Sequence, residues 1–522
     1  MSPRAAPDGV ARAGWFTPPR LLALFCAMST LIYLDRGVIS SAAVSGTPGT
    51  PELAGSGLQG DFRVGYYAYG LLQAAFMFGL LLGCPVFSAL AKTANPFRLI
   101  AVGLGAWTVA VLGCAAAPNY ASLFVSRALV GVGEASFVSL AAPFIDDYAP
   151  KERKTSWLAA FYMCVPVGVA AGFAFGGAVG GTLGWRWAFA FEAAAMAPVV
   201  AVCLASPPIP MRGVDGGADT GAVDRSGGAD VMGADHRGAD ETGVPVDENE
   251  NPHHPDSPTP NDPRRLVREF ARDATALLRR PTFALVVLGY VFYTAVIGVY
   301  AVWGPKAGYA VFADSLHSPA RSDVVFGGVT VAAGATGTIL GGAAVDFAGA
   351  SVAGAARACA VATLLAFALL ECAFAAASFP AFVALFTAGE TLAFVAQAPV
   401  NAIVLWSVPA GARPLACSLT TVFIHLLGDV PTPPLFGAAL QSAARARGGD
   451  GAAPAPEDWR RILAGFTVAM LAAAATFAAT AAAAAAAATA GESRDEGNRR
   501  AREEAEASRP LLREEGEGGE DV

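Results

Sequence analysis

Ser126-Arg127-Ala128-Leu129-Val130-Gly131-Val132-Gly133-Glu134-Ala135-Ser136-Phe137 lies inside an apolar run from about Tyr120 to Ile145. The run is long enough to cross a bilayer as a helix. It carries an arginine and a glutamate seven residues apart, close to two helical turns, so both leave one face. A charge at mid-membrane costs about 3 kcal/mol on insertion scales unless it is paired or wetted. Two readings are open: an ion pair that locks a helix bundle, or a polar site on a transport path. Intramembrane ionisable residues default to function, which favours the second. Gly131 and Gly133 between the charges allow a neighbouring helix to approach closely.

The surrounding composition is that of a membrane protein. Of 522 residues, 54% are hydrophobic and 15% charged, whereas soluble domains carry about 25% charge. The charges concentrate in the first 20 residues, in 211–280 and after 490. The net charge of -8 comes largely from an acidic linker and tail and gives no sign of nucleic-acid binding. The eight cysteines fall within or beside apolar runs, with no disulfide framework and no metal-binding spacing. No P-loop, nucleophile elbow or metal cluster is present, so an enzyme, a cofactor and a bound metal are not expected. The first apolar run is followed directly by Asp35-Arg36 and reads as a retained helix, not a cleaved signal.

Twelve spans are expected, in two groups of six. The first covers roughly 20–42, 66–91, 97–117, 120–146, 155–181 and 186–206. The second covers roughly 282–310, 323–348, 355–377, 380–406, 413–440 and 459–489, the last mostly alanine. This gives a tail (1–19), an N-terminal six-helix bundle (20–206), a linker (207–280), a C-terminal six-helix bundle (281–490) and a charged tail (491–522). The linker is rich in Gly, Asp and Pro and reads as disordered. Its basic end, Arg264 to Arg280, reads as an amphipathic surface helix. Lys and Arg before span one, after span two and after span four put both termini in the cytosol. Arg445, Arg447, Arg460 and Arg461 break that rule between spans eleven and twelve. Gly168, Gly172, Gly176 and Gly180 form a glycine face on span five, suited to close helix contact, just after Pro166.

Two further constellations carry chemistry. Tyr33-Leu34-Asp35-Arg36 closes the apolar run of span one. Its carboxyl can be ionised and paired, or protonated when desolvated, and such a group can carry a proton. Alternatively Asp35-Arg36 anchors the helix at the interface. In span eleven His425 and Asp429 are four apart and meet on one helix side, ahead of Pro431, Pro433 and Pro434. The pair is either pH-sensitive or a packed histidine with its partner. The prolines are expected to break or kink the helix there. Gly389-Glu390-Thr391 of span ten echoes Gly133-Glu134-Ala135 of span four, in keeping with two parallel repeats.

Together Leu34-Asp35-Arg36, Gly70-Leu71-Leu72-Gln73, Arg127 to Ser136, Phe161-Tyr162 with Pro166-Val167-Gly168, Gly389-Glu390-Thr391-Leu392 and His425-Leu426-Leu427-Gly428-Asp429 resemble the spinster family of the major facilitator superfamily. Trp185-Arg186-Trp187-Ala188-Phe189 is similar to a general facilitator motif opening span six. The resemblance implies the major facilitator fold. It implies a secondary transporter of sphingolipids or lysophospholipids working by alternating access, in some members coupled to protons and lysosomal. Two departures stand out. Ser88-Ala89-Leu90-Ala91-Lys92-Thr93 replaces the usual Gly-x-x-x-Asp-Arg after span two, and Ala402, beside Asn401, replaces a family carboxylate in span ten.

On this reading Asp35, Glu134, His425 and Asp429 are candidates for proton coupling. Arg36 and Arg127 suit a phosphate head group, which arginine binds bidentately. Tyr162, Phe292 and Trp303 are candidates for the apolar wall, with ordinary core packing as the alternative. Glu390 and Asn401 complete the candidate cargo site. The expected partners are a lipid-like cargo, protons and the surrounding membrane lipids, and the chain is expected to work as a monomer. A facilitator of another organic anion or a sugar is one alternative; a non-transporting membrane sensor or scaffold is the other. The string Glu506-Ala507-Ser508-Arg509-Pro510-Leu511-Leu512 resembles an acidic dileucine signal with the spacing one residue off, which favours a lysosome- or vacuole-like membrane, with the plasma membrane as the alternative.

Overall fold

The computed structural model describes residues 16–50, 54–91, 94–150, 153–209, 263–349, 351–409, 412–449 and 452–507. Twelve helices among them are long and apolar enough to cross a membrane. Spans one to six are Pro18–Ser40, Tyr66–Leu90, Pro96–Ala116, Tyr120–Tyr148, Lys154–Thr182 and Trp185–Ala205. Spans seven to nine are Pro281–Val311, Pro319–Phe347 and Val352–Ala375. Span ten is Phe379–Val395 continued by Gln397–Trp406. Span eleven is Arg413–Phe423, the turn Ile424–Asp429, then Thr432–Gly448. Span twelve is Pro456–Thr467 continued by Ala469–Ala507.

Helix starts follow local chemistry. Prolines open spans one, three, seven, eight, ten and twelve, where a missing N–H costs nothing. Span four is opened by Asn119, whose Oδ1 accepts the Ser122 N–H at 2.9 Å while Ser122 Oγ accepts the Asn119 N–H.

Three features of the helices have physical reasons. At the prolines of span eleven the regular helix is interrupted over Val430 and Pro431. Just before them it widens into a π-helical turn, closed by the Val430 N–H on the His425 carbonyl at 2.9 Å. The alanine-rich span twelve forms, and its helix runs on through the charged residues to Ala507, because Ala, Glu and Arg are strong helix formers. The basic end of the linker is helical over Pro263–Leu278; 210–262 lies outside the described residues.

The cations that break the charge rule between spans eleven and twelve have structural work. Arg447 and Arg461 both hold Asp458, at 3.0 and 3.1 Å. Arg460 Nη1 donates to the carbonyls of Phe374 and Ala376 at 2.7 and 2.6 Å, satisfying the end of span nine.

The glycine face of span five is where spans one and five meet. A Cβ on Gly172 would lie 2.1 Å from the Leu34 carbonyl oxygen, and one on Gly176 would lie 2.8 Å from Ser41 Cβ. The face thereby carries the end of span one, with Asp35 and Arg36, into the interior. Gly131 and Gly133 serve two helices, since their Cβ atoms would meet Phe76 O of span two and Trp107 N of span three.

The two six-helix halves are joined at the end where span one finishes, here the far end. There Asp323 of span eight accepts hydrogen bonds from Ser41 Oγ at 2.8 Å and from the N–H groups of Ala42 and Ala43 at 2.6 and 3.2 Å. Lys306 of span seven donates to Gln59 Oε1. Its ammonium lies 5.1 and 5.0 Å from the rings of Tyr66 and Tyr69. Gly70 and Gly437 let spans two and eleven touch backbone to backbone.

Candidate functional site

Four charges from two helices cross-pair inside the N-terminal half. Arg127 Nη1 of span four donates to both oxygens of Asp35 in span one, at 2.8 and 2.9 Å. Arg36, the next residue of span one, pairs with Glu134 of span four. Arg127 and Glu134 share a face but are not each other's partners, because span one lies against that face with the opposite order of signs. Asp35, Arg127 and Glu134 are fully buried, whereas the Arg36 side chain keeps 19% exposure. Phe76 of span two sits between the guanidiniums, its centroid 4.9 Å from that of Arg36 and 5.1 Å from that of Arg127. Tyr33 packs on Arg36 at 4.7 Å. The polar core is therefore enclosed by rings, which strengthens each pairing by keeping water out.

The second constellation lies opposite. His425 Nδ1 is 2.9 Å from Asp429 Oδ2, as the four-residue spacing predicts, and both sit in the π-helical turn. Such turns are frequent at functional sites. The other oxygen of Asp429 has no hydrogen-bond partner. Asp429 also lies within electrostatic reach of Arg36.

The remaining candidates separate. Glu390 is buried, with Tyr293 and Tyr300 among its electrostatic neighbours, and Gly389 packs on Leu370 of span nine as Gly133 packs on span three. The glycine before each glutamate thus meets the preceding span of its own half, but Glu390 has no counterpart of Arg36 among the ion pairs of the described residues. Tyr162 is 56% exposed, with Cys417 of span eleven among its neighbours. Asn401 is exposed, and its Nδ2 donates to Gln397 O of its own helix at 2.8 Å. Phe292 is half-buried against the core. Trp303 is corrected as a cavity-wall residue. It is fully buried among Tyr66, Tyr69, Phe436 and Trp459, with Nε1 on the Pro433 carbonyl at 3.3 Å, because an indole fills the join between spans two, seven and eleven.

Sequence reasoning passed over Glu192 of span six, Lys306 and Asp323, all buried. The signal was the one that singled out Arg127: a charged residue within an apolar run. In span six the aromatic motif also ties to the far end. Trp185 Nε1 donates to Asp61 Oδ2 at 2.9 Å, and Arg186 pairs with the same carboxylate.

Residues 25–432 match the profile of the Major Facilitator Superfamily. The chain is 41% identical over 435 residues to "Probable sphingolipid transporter spinster homolog 2" of Arabidopsis thaliana, covering 82% of each chain. It is 27% identical over 453 residues to "Protein spinster homolog 1" of Homo sapiens, covering 82% of this chain and 75% of that one. Among solved structures, a bacterial homolog of the human lysosomal transporter Spinster, inward-facing and unoccupied, superposes with a TM-score of 0.64 at 19% identity, covering 90% of this chain and 97% of that one. The nucleoside transporter NupG superposes with a TM-score of 0.60 at 12% identity, covering 88% of this chain and 98% of that one.

Proposed function

The chain belongs to the spinster group of the major facilitator superfamily, and from that premise we propose that it moves a sphingolipid or lysophospholipid by alternating access, coupled to protons. The observation that carries the reading is the cross-pairing of Asp35 with Arg127 and of Arg36 with Glu134. A static bundle gains little from buried ion pairs, which are often no better than apolar packing. A transporter gains two carboxyls whose loading with a proton frees a guanidinium.

Arg36 is the head-group residue of this reading. It retains some exposure, it is aromatic-lined through Tyr33 and Phe76, and Asp429 lies within its electrostatic reach. A phosphate arriving there competes with Glu134 for the guanidinium. Arg127 is held by Asp35 in this state. Tyr162 and Phe292 supply apolar surface for the chain of the lipid. The printed name of the Arabidopsis relative supports the cargo class. The far-end join through Asp323 and Lys306 is one of the two closures that alternating access requires. We assign the N-terminus, linker and tail to the cytosolic side, and the protein to a lysosome- or vacuole-like membrane, acting as a monomer.

Uptake of labelled lysophospholipid and sphingoid base into proteoliposomes tests the reading. Saturable uptake, competed by unlabelled lipid and weakened by Arg36→Ala, is expected. Uptake of a nucleoside, sugar or other organic anion with none of any lipid overturns the cargo assignment.

A further inference from the structure

Glu192 sits midway along span six and is 2% exposed. Neither of its carboxyl oxygens has a hydrogen-bond partner. The elements packed on span six are spans one, three and five and the short helix Ala42–Ser45. Of their titratable side chains, Asp35 of span one and Cys114 of span three act on Glu192 electrostatically, and so does Arg127 of span four. Span five carries no Asp, Glu, His or Arg, and Ala42–Ser45 carries no titratable group.

Arg127 is incomplete in a complementary way. A guanidinium offers five N–H donors in a rigid fork. Here one nitrogen, Nη1, serves both oxygens of Asp35, while Nε and Nη2 are buried with no oxygen acceptor and with the Cys114 thiol of span three as a polar neighbour. Two donor atoms of Arg127 and both oxygens of Glu192 are therefore buried without hydrogen-bond partners, within electrostatic reach of each other. Asp35 and Glu192 share that one guanidinium, since Arg36 serves Glu134. An unpaired charge is not tolerated in such surroundings, so one of the two carboxyls holds a proton.

We propose that Glu192 is the alternative partner of Arg127, taking the guanidinium over when Asp35 becomes neutral. In the observed state Asp35 is ionised and paired, and Glu192 holds the proton. In the other state Asp35 has taken a proton from one side of the membrane, the O–H bond of Glu192 has broken and its proton has left to the other side, and the Arg127 fork turns to the Glu192 carboxylate. The pair carries one proton throughout and the pocket stays neutral. This deepens the proton-coupled reading above and rests on it for its use, with Glu192 as a positioning residue that sets where Arg127 points.

Infrared difference spectra of the full chain in proteoliposomes test it through the C=O stretch of a protonated carboxyl. Wild type minus Glu192→Gln is expected to contain that band, and Glu192→Asp to move it. Asp35→Asn minus Asp35→Asn/Glu192→Gln is expected to lack it, because Glu192 is then ionised against Arg127. A Glu192 band in both differences, or in neither, overturns the proposal. Glu192→Gln is also expected to lose accumulation driven by a pH gradient, and Glu192→Asp to restore part of it; wild-type accumulation in Glu192→Gln overturns the proposal. A wild type indifferent to the pH gradient overturns the proton-coupled reading alone, since the infrared pair reports the exchange of partners without transport.

Discussion

Asp35 of span one is held by Arg127 of span four, 92 positions further on, with both carboxylate oxygens within 2.9 Å of a single guanidinium nitrogen. Removing one member of such a buried pair strands the other charge at a cost of about 3–5 kcal/mol. Lysine keeps the charge but loses the planar fork. Arg127→Lys is therefore expected to fold, with transport lower by roughly ten- to hundredfold, the equivalent of about 1.5–3 kcal/mol for a charge-assisted bond. Fluorescence size-exclusion chromatography checks folding and proteoliposome uptake checks transport. Unchanged uptake would mean that Arg127 acts only as a point charge.

Packing between spans one and five gives a paired test. Gly172 faces Leu34 and Gly37 so closely that any side chain forces the helices apart, whereas Gly181 has nothing within 4 Å of its Cβ position. Gly172→Leu is expected to cost about 1–3 kcal/mol or more through overpacking and to lower the thermal midpoint and the yield of monodisperse protein. Gly181→Leu is expected to match wild type in both.

Asp323 is the carboxylate that joins the halves at the far end, through Ser41, Ala42 and Ala43. Asp323→Asn exchanges an acceptor for a donor opposite two N–H groups. Loss of even one charge-assisted bond, about 1.5 kcal/mol, shifts the closed–open balance roughly tenfold toward open. Faster thiol labelling of a cysteine introduced at Gly177, beside Asp323, is the expected result. Labelling no faster than in the Asp323-intact protein would show that Lys306 and the packing of Gly70 and Gly437 suffice to hold that end.

Much of this molecule was legible in the chain because the bilayer forces it to be. Each span must hide its backbone in a long apolar helix, so even the alanine-rich twelfth stood out. The pairing of charges was not legible in the same way. Arg127 and Glu134 share a helix face, which invited pairing along one helix; only the packing of span one against that face reveals the crossed order. Trp303 and Tyr162 are both aromatic residues in apolar runs, yet one fills the join between the halves and the other is more than half exposed. Hydropathy is blind to that difference. His425 and Asp429 were readable together because their contact is local, within one helical turn.

The acidic stretch between the halves lacks the apolar content to build a core. Deletion of 211–260 with a short flexible replacement is expected to leave thermal stability and uptake within about twofold of wild type, since such linkers act chiefly through reach. Loss of either would give that stretch a structural or regulatory part.

Coupling of cargo movement to protons is assigned here to a buried carboxyl held by an arginine. Asp35→Asn fixes the neutral form with little change of shape, and Glu134→Gln does the same for the second pair. The measurement is uptake of labelled lysolipid into proteoliposomes with and without an imposed pH gradient. The account predicts that the gradient drives accumulation in wild type, that Asp35→Asn abolishes this response while downhill exchange partly survives, and that Glu134→Gln weakens it to a lesser degree. A wild type whose uptake is the same with and without the gradient would contradict the account.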